Sequence, residues 1–145
     1  MPLPLGYAAR RMEFRTCYLS QILIDESSTN QFIYLSEVGG PRRIPILIGP
    51  LEAGAIDRVI KKQSFPRPLT HDLLVTLLTE LGAHCRLIRI VDLREGTFFA
   101  QLHLTRADGT DLIIDCRPSD AVALLVRLPG VALEIAEDVL AEAGG

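Results

Sequence analysis

Ile46-Leu47-Ile48-Gly49-Pro50-Leu51-Glu52-Ala53-Gly54-Ala55-Ile56 reads as a strand running straight into a helix, and so does Ile114-Asp115-Cys116-Arg117-Pro118-Ser119-Asp120-Ala121-Val122-Ala123-Leu124. In both stretches an aliphatic segment stops at a proline, whose fixed φ and missing N–H suit the first position of a helix. Alanine and aliphatic residues at helical spacing follow. The second stretch is the first moved by 68 positions: Ile46, Pro50, Ala53 and Ala55 fall on Ile114, Pro118, Ala121 and Ala123, and Glu52 falls on Asp120.

Further out, the same shift lays Cys17, Leu19 and Ile22 on Cys85, Leu87 and Ile90. Across the windows 15–24 and 44–56, 7 of 23 aligned positions are identical, where average composition gives roughly one or two. The chain therefore reads as one unit written twice, about 13–82 and 83–145, with residues 1–12 as a loose N-terminal extension. Halves this short do not bury a core alone, so the two are expected to share one.

Each unit reads β-β-β-α-α. The first places strands at 14–24, 31–36 and 43–48 and helices at 50–62 and 70–81. The second places strands at 84–93, 97–104 and 111–116 and helices at 118–128 and 136–143, with room for a short strand at 131–135. Gly39-Gly40 and Asp108-Gly109 stand where tight hairpins need positive φ. Thr70 is the expected cap of the second helix, Leu73, Leu74, Leu77, Leu78 and Leu81 its apolar stripe, and Gly82 its terminator. The expected fold is α+β, with one strongly curved, mostly antiparallel sheet and helices packed outside.

Composition narrows the class. Apolar residues make up 48% and charged residues 23% of the 145, which is globular, and no apolar run approaches the roughly 18 residues that span a membrane. Residues 1–11 lack the apolar stretch of a signal peptide. Three cysteines without metal spacing suit reduced thiols in a cytoplasm, and Cys17, Cys85 and Cys116 fall in strands as small buried hydrophobes. A net charge of −3 argues against binding nucleic acid over the whole surface. Even so, Arg42, Arg43, Lys61, Lys62 and Arg67 gather in the first half and Glu134, Glu137, Asp138 and Glu142 near the end, which leaves room for a one-sided anion-binding face.

No phosphate-cradling glycine loop, dinucleotide fingerprint, CxxC, HExxH or GxSxG occurs. Chemistry is sought instead in two polar segments at helix entrances, Phe65–Asp72 and Ile114–Asp120. Pro66 and Pro68 hold Arg67 in extended backbone beside His71 and Asp72. Asp115 stands where the first copy has Leu47, and Glu52 and Asp120 sit in first helical turns, where carboxylates meet unpaired amides. If the copies pack about a pseudo-twofold axis, His71, Asp72, Asp115 and Asp120 approach one another. Such hard oxygen ligands suit Mg²⁺ or Mn²⁺. The plainer reading is that the acids cap helices and Arg67 pairs with Asp72 or Asp120 to fix its loop.

Those segments, with Pro45–Gly49, Glu52–Ile56, Pro66–Leu74 and Ile114–Leu124, make the chain resemble the bifunctional nuclease domain family from about residue 14 to 143. The resemblance implies a compact duplicated α+β fold and, from plant members, activity on DNA and RNA. It carries motif positions onto Glu52, Arg67, His71, Asp72, Asp115, Arg117, Ser119 and Asp120. The expectation is a metal-dependent nuclease in which His71, Asp72, Asp115 and Asp120 are catalytic. Asp72, Asp115, Asp120 and Glu52 would hold the divalent cation, and Arg67, Arg117 and Ser119 would bind the substrate. Two alternatives stand beside it: a non-catalytic, homo-oligomerising interaction or regulatory module, and a phosphate or nucleotide sensor. The sensor reading is weakened because no base-stacking aromatic sits beside the motifs in sequence.

Overall fold

The computed structural model describes residues 12–145. In chain order these form β1 (Phe14–Ile24), β2 (Gln31–Glu37), β3 (Arg43–Ile48), α1 (Pro50–Ile60), α2 (Thr70–Glu80), β4 (His84–Arg94), β5 (Thr97–Thr105), β6 (Asp111–Cys116), α3 (Pro118–Leu125), β7 (Ala132–Ala136) and α4 (Glu137–Ala143). The strands make one sheet in the order β3-β2-β1-β7-β4-β5-β6. Every pairing is antiparallel except β4 with β7. The fold is thus α+β with a mostly antiparallel sheet. The short strand that the sequence only left room for is its centre: β7 joins the β1–β3 meander to the β4–β6 meander. The extension expected at residues 1–12 falls outside the described residues except for Met12, which packs against the core.

Strand alternation builds the core. Ile33, Leu35, Ile44 and Ile46 from the first meander and Ile88, Ile90, Ala100, Leu102 and Leu104 from the second are buried, and the intervening residues take the other face. Helices α1 and α3 cover this apolar face and pack on each other; both bring alanines, Ala53 and Ala55, Ala121 and Ala123, which let backbones approach closely. Bulges interrupt β1 between Leu19 and Gln21 and β4 at two places. A bulge bends its strand, and the sheet curls until Pro45–Ile48 of β3 face Gly96–Phe98 of the β4–β5 turn across a cleft.

Turn and cap residues behave as their chemistry requires, with one shift. Gly39 and Gly109 take φ of +74° and +87° in the hairpins. Gly82, at φ +73°, ends α2 in a Schellman arrangement, its N–H donating to Thr79 O and the Ala83 N–H to Leu78 O. Thr70 is not the cap. Leu69 takes that position and Thr70 is the first helical residue; Asp72 reaches back to accept the Leu69 N–H at 3.0 Å, which is the acid's half of a capping box without the hydroxyl's half. Helices α1 and α3 stop two or three residues before their expected ends.

Arg42 and Lys61 do not join a common basic face. Arg42 lies between Glu37 and Glu137, at 2.9 and 2.8 Å, where it ties α4 to the β2–β3 hairpin, and Lys61 pairs with Asp57. The α2 leucines give the second departure. Val75 and Leu78 pack against the core, but no residue of α2 is fully buried, and Leu73, Leu74, Leu77 and Leu81 face solvent.

Candidate functional site

Two helix entrances meet here. Gly49 is the N-cap of α1 and Arg117 the N-cap of α3, each followed by proline, with Glu52 and Asp120 at the matching third positions. Packing of α1 on α3 sets these carboxylates side by side, and the Arg117 side chain joins both. It donates from Nε to Asp120 Oδ2 at 2.9 Å, from Nη2 to Asp120 Oδ1 at 3.2 Å and from Nη1 to Glu52 Oε1 at 3.3 Å. A Cβ at position 49 would meet the Glu52 carboxylate in its present position, so any side chain there must move Glu52 aside.

Helix α2 adds the third part. The extended Pro66–Leu69 segment delivers its first turn onto α3, and His71 Nε2 comes to 3.0 Å from Asp120 Oδ1. A carboxylate only accepts, so Nε2 is the protonated nitrogen and a neutral imidazole keeps its lone pair on Nδ1. At the next residue of α2, Asp72 Oδ1 accepts a hydrogen bond at 2.8 Å from Arg127, which lies just past the end of α3 and also donates to the Ala123 carbonyl at 2.8 Å. Arg127 is 7% exposed, a buried guanidinium held by neighbours on two helices.

These groups line a cleft of about 650 Å³ bounded by Leu51, Glu52, Ala55, Arg58, Pro68–His71, Leu74, Arg117, Asp120 and Arg127. A second cleft, of about 520 Å³, lies on the other side of the Glu52–Arg117 pair and is lined by Phe32, Phe98, the β3 edge and Ser119. Partial burial works against the charge on Asp120, yet hydrogen bonds from Arg117 and His71 outweigh it and hold the carboxyl below its ordinary value. Asp72 is depressed chiefly by Arg127 and next by the Leu69 amide. Arg117 is raised by Asp120.

The chain matches the bifunctional nuclease domain over residues 33–145. The chain belongs to the bifunctional nuclease domain family. Two uncharacterized proteins of Mycobacterium tuberculosis strains are each 42% identical over 123 residues, 85% of this chain and 72% of their own length. Bifunctional nuclease 2 of Oryza sativa subsp. japonica is 29% identical over 107 residues, 72% of this chain and 33% of that protein. Bifunctional nuclease 2 of Arabidopsis thaliana is 26% identical over 86 residues, 58% of this chain and 26% of that protein.

Of the residues singled out from this family's motifs, the fold brings His71, Asp120, Arg117 and Glu52 together; Asp72, next to His71 in the chain, is held instead by Arg127. It does not bring Asp115. That residue is exposed in β6, opposite Gln101, on the sheet face away from Cys116 and the helices, because successive strand residues point to opposite faces. Arg67 is exposed and forms no ion pair with another described residue. Ser119 is buried at the second cleft. Among the described residues no three His, Cys, Asp or Glu side chains converge as a metal site would require. Glu52, Asp72 and Asp120 each face an arginine instead, so the four carboxylates do not make one donor set.

Sequence reasoning passed over Arg58, Arg127, Phe32 and Phe98. Spacing could have found the arginines: Leu51, Ala55 and Arg58 stand at i, i+4, i+7 on α1, and Arg127 stands seven residues after Asp120. Phe32 and Phe98 come from remote strands and carried no local signal.

Proposed function

We propose that this chain is a phosphodiester hydrolase acting on nucleic acid, DNA or RNA, with His71, Asp120 and Arg117 as its working groups. The observation that carries this reading is the His71–Asp120–Arg117 chain of hydrogen bonds opening on a cleft bordered by two further arginines. Guanidinium groups match phosphate oxygens in geometry and charge. With the diester held at Arg117 and Arg58, His71 Nδ1 takes a proton from a water that attacks phosphorus. Asp120 stabilises the imidazolium that forms, and Arg117 offsets charge gathering on the phosphoryl oxygens. The bond to the leaving nucleotide oxygen then breaks, and that oxygen takes a proton from solvent.

A divalent cation, Mg²⁺ or Mn²⁺, would have to displace Arg117 from Glu52 and Asp120, so no step is routed through one. The two halves read as copies of one unit in which the site arose where they differ, at Gly49 against Arg117 rather than at Leu47 against Asp115. Unpaired thiols at Cys17, Cys85 and Cys116 suit a reducing compartment such as the cytoplasm.

One observation favours a second reading. Because Asp72, Asp120 and Glu52 each meet an arginine, the same cleft could hold a phosphate without cleaving it, with Phe32 and Phe98 nearby for a base. The test is cleavage of labelled single- and double-stranded DNA and RNA with Mg²⁺, Mn²⁺ or chelator by wild type, His71→Ala and Asp115→Ala. Hydrolysis lost in His71→Ala and kept in Asp115→Ala supports the site. Binding with no cleavage in any arm moves the conclusion to a sensor.

A further inference from the structure

We infer that α2 is the centre of a twofold homodimer interface, packed antiparallel against α2 of a second copy. Leu73, Leu74, Leu77 and Leu81 are 52%, 38%, 47% and 74% exposed. Leu74, Leu77 and Leu81 follow the three-and-four spacing of a seam that meets another helix, with Leu73 one turn before Leu77. Together the four expose on the order of 350 Å², the size at which an apolar patch on a soluble protein is commonly an interaction site.

Polar groups do not interrupt this face. No charged residue lies between Asp72 and Glu80. The Thr76 hydroxyl donates to the Asp72 carbonyl at 3.1 Å and that of Thr79 to the Val75 carbonyl at 3.0 Å, so both threonine hydroxyls are satisfied within the helix. A neutral apolar face loses nothing against a copy of itself.

Charge selects the occupant and the direction. Arg67 lies just before α2 and Glu80 in its last turn, one turn beyond Leu77 on the same side, and neither pairs with another described residue. In an antiparallel pair the Arg67 end of one helix meets the Glu80 end of the other, twice, as an isologous interface demands. A parallel pair would set like charges together. Leu51, 80% exposed, lies with Leu74 on the cleft wall and extends the patch toward the roughly 800 Å² per partner of a stable interface. Leu74 therefore belongs to both surfaces, and the second copy steadies the helix that presents His71.

The test is sedimentation equilibrium over a dilution series in the micromolar range. Wild type is expected as a dimer and Leu77→Glu as a monomer with unchanged far-ultraviolet circular dichroism. Arg67→Glu should weaken dimerisation by about tenfold, equivalent to roughly 1.4 kcal/mol, and Arg67→Glu with Glu80→Arg should restore it. The charge reversals touch no core residue, so they read the interface even if Leu77→Glu fails to fold. A wild type that sediments as a monomer throughout overturns the inference. So does a dimer insensitive to both Leu77→Glu and Arg67→Glu.

Discussion

His71 Nε2 and Asp120 Oδ1 are 3.0 Å apart although 49 residues separate them in the chain, and the packing of α2 on α3 makes the contact. A general base oriented by a carboxylate contributes about 10²–10⁴-fold to a hydrolysis. His71→Ala is therefore expected to lower kcat by that range while leaving the affinity for a labelled oligonucleotide within a few-fold. Arg117→Ala should lose both, because in the proposed mechanism its guanidinium meets the phosphate. Steady-state kinetics with anisotropy titrations separate the two, and a His71→Ala enzyme with full kcat removes His71 from the mechanism.

Acid should loosen the same joints. Asp120 and Asp72, together with Glu37 and Glu137 on Arg42, titrate below their ordinary values when folded. A carboxylate depressed by folding stabilises the fold fully above its unfolded pKa and loses that contribution as pH falls through the lower folded value. Stability should thus hold from neutrality to about pH 5 and decline below about pH 4, where unfolded carboxylates begin to bind protons. Asp72→Asn should flatten the decline in urea unfolding curves. Asp72→Ala, which strands the 7% exposed Arg127, should cost about 1–3 kcal/mol at pH 7.

The strands, the helices and most turns were legible because each is announced by residues next to it in the chain: Pro50 and Pro118 at helix starts, Gly39 and Gly109 in hairpins, alternating isoleucines in β3. The candidate site was legible as segments and in the approach of His71 to Asp120, but not in its other partners. His71, Asp120 and Arg117 sit in the two motifs, but which side chains face each other depends on strand parity and helix docking. Parity removed Asp115, whose neighbour Cys116 points to the core side. Docking added Arg127 and Phe98, whose surroundings in sequence look like ordinary helix and strand. The α2 leucines show a related limit, since an apolar stripe specifies that something covers it and not whether that is the same chain.

Gly49, the N-cap of α1, and Gly54, inside the helix, should respond in opposite directions to the same change. Gly54 lies inside α1, where glycine costs about 0.5–1 kcal/mol relative to alanine, and a Cβ there meets only Arg58 at 3.5 Å. Gly54→Ala is expected to stabilise by that amount. Gly49→Ala has no backbone strain at φ −78°, but its methyl group enters the space of the Glu52 carboxylate. It should destabilise and push Glu52 off Arg117. Chemical denaturation of both variants checks the pair, and equal shifts would mean the Glu52 position is not fixed.

Thiol chemistry gives a readout that needs no substrate. Burial, then Glu37, pushes the Cys17 thiol up to about 11, and burial, then Asp120 and Asp115, pushes Cys116 up to about 12. Burial raises Cys85 as well. At pH 8 an ordinary thiol is roughly a quarter thiolate, the reactive form, whereas these values leave Cys17 and Cys116 on the order of a thousandth or less. Reaction with a disulfide reagent should accordingly be at least about a hundredfold slower at Cys17 and Cys116 of the folded protein than for free cysteine. It should accelerate at the urea concentration where circular dichroism reports unfolding. Immediate modification of Cys17 or Cys116 in the native protein, located by peptide mapping, would show that β1 or the β6–α3 junction opens without global unfolding.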